Sequence, residues 1–288
     1  MSHPLVVLLA SRPTLEYLLK VSLPSVASQS RQPDEVVIVA DKTPFTYVQQ
    51  QEIAQCLPGI KITFLHNQRD PGAAGTWNTG LDYLQANYPE AWVAILDDDD
   101  LWQTNHLQRC VELVADDVDA VISGIEVRRY GETLALNIPK DLEYTDFLVK
   151  NPGWQGSNTF VRLSAIQAVG GFTDGLVSCN DRDLAIRMLL CAPERFRYTG
   201  IITTIWHCNQ TELALSAPNS PQKRKGCAQF LWLHGHRMSS ADKHAFFLRV
   251  NALFGISESD VIEELRAMYG SIIKLSPQSS CGISRNAL

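Results

Sequence analysis

Four consecutive carboxylates, Asp97-Asp98-Asp99-Asp100, follow the apolar run Ala94-Ile95-Leu96 and precede Leu101-Trp102. Adjacent like charges repel, more strongly where solvent is partly excluded, so the cluster calls for a counter-charge. Side chains alternate across an extended strand, which predicts that Asp97 and Asp99 project to the same side. Oxygen-only ligands suit Mn²⁺ or Mg²⁺ held jointly by protein and a phosphate group. A calcium loop beginning at Asp97 is excluded, because Trp102 and Gln108 stand where Gly and Glu are required. The plain alternative is a solvated acidic turn in which Asp100 caps the next helix, but a cap needs one carboxylate, not four.

A second acidic segment, Cys179-Asn180-Asp181-Arg182-Asp183, opens a helical pattern that runs to Leu190. The free amides and macrodipole of a helix start favour an ionised carboxylate, and an ionised carboxylate can accept a proton from a hydroxyl. In the competing reading Asn180 or Asp181 is a plain cap, and Asp183 pairs with Arg187 one turn on. Asp41 ends a β run, where it serves either as a turn cap or as a ligand. The loop Asn67–Gly75 precedes a helix and can present backbone amides to an anion. Gly75 and Gly80 have the spacing of an NTPase phosphate loop, but Leu81 stands where that loop needs Lys. No G-x-G-x-x-G dinucleotide fingerprint occurs either.

The elements that must position these residues alternate regularly. Leu5–Ala10, Glu35–Ala40, Lys61–His66, Ala91–Leu96 and Ala120–Gly124 read as strands, the first a continuous apolar run suited to burial on both faces. Between them, helical patterns start at Pro13-Thr14, Thr46, Ala73 and Thr104, with Pro24 breaking the first. This alternation predicts βαβ units, hence an α/β fold with a mostly parallel central sheet flanked by helices. Arg129–Gln155 reads as an irregular excursion over the sheet. Ser157–Val161 reads as a strand, Asp181–Leu190 as a helix and Arg197–Trp206 as paired or bent strand. Ser216–Gly226, rich in Pro, Ser, Lys and Arg, reads as a mobile loop, and Lys223-Arg224-Lys225 within it as a solvated face or a lid. Three helices follow, over 227–236, 240–254 and 257–269, and 276–288 has the composition of a frayed tail.

Of the 288 residues 45% are hydrophobic, and the formal net charge is −6. This composition supports a sizeable core and argues against both disorder and a nucleic-acid-binding surface. No apolar run approaches a membrane span, and the N-terminus lacks the features of a signal peptide, so the chain reads as not integral to a membrane. The seven cysteines form no CxxC pair, which fits a reduced, cytoplasmic protein.

In this order, Val6–Arg12, Glu35–Asp41, Asn67–Leu81, Val93–Trp102 and Gly170–Leu190 resemble family 2 glycosyltransferases with the GT-A fold, whose DxD motif the Leu96–Trp102 stretch matches closely. The resemblance implies a catalytic domain over residues 1–210, with a nucleotide-binding half (1–125) and an acceptor-side half (126–210). A flexible loop over 211–226, a helical C-terminal extension over 227–273 and a tail over 274–288 complete the expected organisation. The implied activity is inverting transfer from a nucleotide-diphosphate sugar, typically a UDP-sugar, to an acceptor hydroxyl. Asp97 would contact ribose or metal, Asp99 would bind a Mn²⁺ or Mg²⁺ ion bridging the diphosphate, and Asp98 is the variable middle position. Asp41 would meet the nucleotide base, Ala10-Ser11-Arg12 would lie under the nucleotide, and Asn78 would line the donor side. Trp77 stands where the family often has Arg, for which Arg69 would compensate. Asp181 is the implied base, with Asp183 the second choice, although Asn180 replaces the usual Glu. His207 is either a structural histidine or a third metal ligand. Trp154 and Gln155 would face the acceptor, with Trp154 stacking on a sugar or packing in the core. The acceptor class stays open among glycan, lipid-linked saccharide, peptide and small natural product. A sugar-phosphate nucleotidyltransferase and a non-catalytic nucleotide-sugar-binding protein are the alternatives.

Overall fold

The computed structural model describes residues 3–12, 15–208 and 218–273. Nine strands form one sheet: β1 (Leu5–Ser11), β2 (Glu35–Ala40), β3 (Lys61–His66), β4 (Trp92–Asp97), β5 (Leu101–Trp102), β6 (Ala120–Arg129), β7 (Glu132–Asn137), β8 (Thr159–Arg162) and β9 (Phe196–His207). Their order is β3-β2-β1-β4-β8-β6-β9-β5, with β7 paired to β6. The β3-β2-β1-β4 half is parallel, as the strand–helix alternation requires. β8 then runs antiparallel between β4 and β6, and β9 runs parallel to β6.

Alternation along the buried strands builds a core on each face of the sheet. Leu5, Val7 and Leu9 of β1 pack with Val36, Ile38, Trp92 and Leu96 on one side. Val6 and Leu8 pack with Val37, Val39, Val93 and Ile95 on the other, under the helix Ala73–Asn87. That second core also takes in Leu184 and Ile186 of the helix Asn180–Cys191 and Cys227, Phe230 and Phe246 of the C-terminal helices. The C-terminal helices therefore share a core with the sheet.

Three expectations need correction. Arg129–Gln155 is not wholly irregular: β6 runs on to Arg129 and turns into β7, and a short helix spans Asp146–Val149. β7 was hidden because its face is exposed and its pattern does not alternate. Residues 221–226 are not a loop but the first turns of the helix Pro221–His234. Ser220 caps that helix by accepting from the Lys223 amide, and Pro221 occupies its first turn, so the 223–225 basic run is helical. Finally, the first helical pattern is split by a π turn at Leu18–Ser22 just before Pro24. Pro13-Thr14, residues 209–217 and the expected tail lie outside the described residues. Among the described residues no helix is long and apolar enough to cross a membrane.

Candidate active site

At β1 and β4 the strand order 3-2-1-4 reverses, and ligands of open α/β sheets collect beyond the carboxyl ends of the strands at such a point. Ala10 of β1 is paired with Asp97, the last residue of β4. The chain then turns through Asp98 and Asp99 into β5 and divides the four carboxylates. Asp98 and Asp100 are buried, at 5% and 0% exposure, while Asp97 and Asp99 stay half-buried, in line with the alternation.

The buried pair is held by protein donors. Asp98 accepts from the Arg12 amide at 2.9 Å, with the Ser11 hydroxyl at 3.2 Å. Asp100 accepts from the Ser157 hydroxyl at 2.6 Å and from the His207 amide at 2.8 Å. Asp100 is therefore not a helix cap; the next helix begins at His106, beyond Asn105. The Arg12 guanidinium lies 3.2 Å from Asp99 and 3.6 Å from Asp98, among the carboxylates rather than free of them.

Asp181, in the first turn of the Asn180–Cys191 helix, faces the same region. Burial pushes its carboxyl up to about 7, Cys179 adds to the shift, and Lys223 and the Gly156 amide oppose it. Burial also holds the Asp97 carboxyl well above the usual range, with Asp99 and then Asp181 the largest charges adding to it. Asp98 is pushed up to about 6 by burial and Asp99, against Arg12. The Asp97–Asp100 cluster and Asp181 thus share one electrostatic field. Gly156 lies between them: a Cβ there would sit 3.4 Å from Asp97 Oδ2 and 3.3 Å from Trp77 Cζ2.

Among the described residues no donor is hydrogen-bonded to the Asp97 carboxylate, and no group of three or more acidic, imidazole or thiol side chains is placed to hold a metal ion. His207 Nδ1 lies 2.8 Å from the Asp99 carbonyl, which can only accept, so Nδ1 donates to it and Nε2 is the ring nitrogen not used in that bond. This donor set suits an ion held by one or two carboxylates and completed by substrate phosphate, as Mg²⁺ commonly is.

Other expected site residues are committed elsewhere. Asp41 Oδ1 accepts from Asn67 Nδ2 (3.0 Å), the Gly72 amide (2.8 Å) and Thr76 Oγ1 (3.1 Å), pinning the loop before the Ala73–Asn87 helix. Asn78 is buried, donating to the Phe172 carbonyl and Asp174 and accepting from the Phe172 amide, so its amide is used up inside the protein. Arg69 pairs with Asp82 and Asp174. Asp183 is buried and bound by Arg187 (2.6 Å), His234 (2.9 Å) and Thr173 (2.8 Å). Despite burial, these partners hold it down at about 2, which makes it a structural anion rather than a base. Trp154 is 1% exposed, donates to Thr159 Oγ1 at 2.6 Å and packs edge-on against Phe147 and Phe196, so it is a core residue and cannot stack on a ligand. Gln155 is half-buried, its amide donating to Asn158 Oδ1 at 2.7 Å. Gly156 and Ser157, which join the two acidic segments, carry no periodic or charged signal in the sequence.

Residues 15–165 match the model of Glycosyl transferase family 2, and the chain belongs to that family. It is a glycosyltransferase, with the mixed α/β architecture of GT-A enzymes. It is 26% identical over 217 residues to the putative colanic acid biosynthesis glycosyl transferase WcaA of Escherichia coli (strain K12), covering 72% of this chain and 73% of that one. Its fold is similar to that of S. aureus TarS, with a TM-score of 0.55 at 15% identity over 89% of this chain. The chain spans 44% of that TarS chain. A TarS 1–349 crystal structure in complex with UDP-GlcNAc superposes with a TM-score of 0.54 at 15% identity, covering 94% of this chain and 92% of that one.

Proposed function

We propose that the protein is an inverting glycosyltransferase that moves a sugar from a UDP-sugar to an acceptor hydroxyl, with Asp181 as general base. The observation that carries this reading is the convergence of Asp97, Asp99 and Asp181 at the switch point between β1 and β4, with Asp181 raised to about 7. A carboxylate of that pKa is half ionised at neutrality and well matched to take a proton from a hydroxyl. As the acceptor oxygen bonds to the anomeric carbon, its proton passes to Asp181, and the bond from that carbon to the nucleoside diphosphate breaks on the opposite face. The product has inverted configuration.

Asp99 and Asp97 are the carboxylates that would hold Mn²⁺ or Mg²⁺. The ion, when bound, neutralises charge developing on the departing diphosphate. Ala10, Ser11 and Arg12, at the end of β1, would border the nucleotide, with the Arg12 guanidinium the cation offered to its phosphates. The catalytic unit would span residues 1–210, with the helices from Pro221 onward walling the acceptor side. A cytoplasmic location belongs to this reading, since the six described cysteines are free.

The deciding experiment is a thermal-shift screen of nucleoside diphosphates and their sugars, with and without Mn²⁺. A rise in Tm specific to uridine nucleotides and dependent on the ion supports the reading; no shift with any nucleotide sinks it.

A further inference from the structure

Immediately before Asp181, the chain makes a contact that the transfer mechanism does not use. Cys179 precedes the Asn180–Cys191 helix with φ 68, a left-handed conformation uncommon for a residue with a side chain. The Pro221–His234 helix is pressed against this segment. A Cβ on its Gly226 would fall 2.4 Å from Ser178 Cβ and 2.9 Å from the Ser178 amide nitrogen, so only glycine fits there. Lys223, one turn earlier, donates to Ser178 Oγ at 2.9 Å. The residues following each partner in this contact are both cysteines, half-buried Cys179 and buried Cys227, and each thiol is a leading influence on the other's ionisation.

The surroundings divide the labour between the two thiols. Hydrogen bonding from Cys227, together with the Lys223 and Arg182 cations, holds Cys179 well below the usual thiol range, against burial. Cys227 is shifted upward by its hydrogen bond to Cys179 and by burial, against Lys223 and Arg182. A low-pKa, partly accessible thiol beside a protonated partner is the arrangement of an attacking and a resolving cysteine. Arg182 is itself anchored, donating at 2.8 Å to the Phe147 and Leu148 carbonyls, so the positive charge beside Cys179 is fixed.

We infer that Cys179 and Cys227 form a reversible disulfide that ties the C-terminal helices to the segment carrying Asp181 and so makes transfer sensitive to thiol oxidants. With a small disulfide such as oxidised glutathione, the Cys179 thiolate attacks one sulfur and releases one glutathione thiolate. Cys227, losing its proton, then attacks the Cys179 sulfur of the mixed disulfide and releases the second. The balance is one small disulfide reduced to two thiols and one protein dithiol oxidised to a disulfide. The bond would replace a thiol contact by a covalent one two residues from the proposed base. The consequence for transfer rests on the function proposed above, but bond formation does not.

Trypsin separates the two sites cleanly: residues 163–182 contain only Cys179, and residues 226–237 contain only Cys227. Full-length protein is treated with oxidised glutathione, quenched and mapped without reduction, and its backbone hydrogen exchange is followed over 175–190. The expected result is a cross-linked pair of these peptides, lower in mass by two hydrogen atoms, that dithiothreitol separates. Exchange over 175–190 should change on oxidation in the wild type and stay constant in Cys227→Ala. If transfer is established, its rate should fall at least several-fold on oxidation, recover with dithiothreitol, and be insensitive to oxidant in Cys227→Ala. The inference is overturned if the two thiols stay free, if Cys179 pairs with another cysteine, or if the cross-link forms with exchange over 175–190 unaltered. Absence of uridine nucleotide binding, by contrast, counts against the proposed function and leaves the peptide map and exchange measurement decisive here.

Discussion

The Ser157 hydroxyl donates a 2.6 Å hydrogen bond to the Asp100 carboxylate and accepts one from the Asp97 amide at 3.1 Å. One small side chain therefore spans the turn that separates the buried from the half-buried carboxylates. Ser157→Ala leaves a fully buried Asp100 short of a donor, at a cost of about 1–3 kcal/mol. Urea unfolding should show a lower midpoint at unchanged m-value. Asp100→Asn, which keeps a group able to meet Ser157 and removes a buried charge, should cost less; equal stability of Ser157→Ala and the wild type would show that the bridge is dispensable.

Asp181 gives a prediction in which stability and activity move in opposite directions. Its ordinary pKa lies near 4 and its folded value near 7. Between those values the folded state keeps a proton that the unfolded chain has released. The contribution is complete below about pH 4 and is lost as pH rises through about 7. Asp181→Asn removes that loss and, after discounting for partial exposure, should stabilise the protein at pH 8 by roughly 1–3 kcal/mol. Transfer should disappear while UDP binding persists. In the wild type kcat should climb between about pH 6 and 8 and then level, because only the ionised form accepts a proton. A flat kcat profile over that range, or full transfer by Asp181→Asn, removes the base assignment.

Mn²⁺ or Mg²⁺ should bind more tightly as pH rises, since Asp97 and Asp98 must release protons before the cluster attracts a cation at full strength. Calorimetry in two buffers of different ionisation enthalpy should detect proton release on Mn²⁺ binding with UDP at pH 6 and less at pH 8. Asp99→Asn should weaken ion-dependent UDP binding by at least tenfold and leave the melting temperature of the nucleotide-free protein near that of the wild type. Ion-independent UDP binding at wild-type strength by Asp99→Asn would contradict the role given to Asp99.

The parts of this site legible in the sequence are those set by local chemistry. β1, β2 and β4 are buried on both faces and show it as apolar runs, so the position of Asp97 at a strand end could be read directly. What escaped is which of two open readings holds. The Asp183–Arg187 pair one turn apart was legible, but the His234 contact that fixes Asp183 comes from a helix 51 residues on. Trp154, readable as a stacking or a core aromatic, is decided for the core by Thr159, Phe147 and Phe196. The start of the Pro221–His234 helix, expected from residue 227, was obscured by its polar first turns, although Ser220-Pro221 is a recognised start signal. Gly156 and Ser157 matter through contacts with two segments that only the folded chain brings together.

Asp181 and Asp183 share the first turn of one helix, and substitution should separate their roles. The Asp183 carboxylate joins Thr173 and Arg187 to His234 of the C-terminal helices, and its value near 2 lies below the unfolded one. Its contribution to stability is therefore present above about pH 4 and lost as pH falls through about 2. Asp183→Asn keeps the shape but leaves the half-buried Arg187 without its counter-charge and the buried His234 contact weakened, at a cost of about 1–3 kcal/mol. The variant should melt well below the wild type at pH 7, and the gap should narrow toward pH 2. At a temperature where it is still folded, its kcat should follow the same rise near pH 7 as the wild type, as the proposed base Asp181 requires. A variant of normal stability whose pH–rate limb is abolished would instead transfer the base role to Asp183.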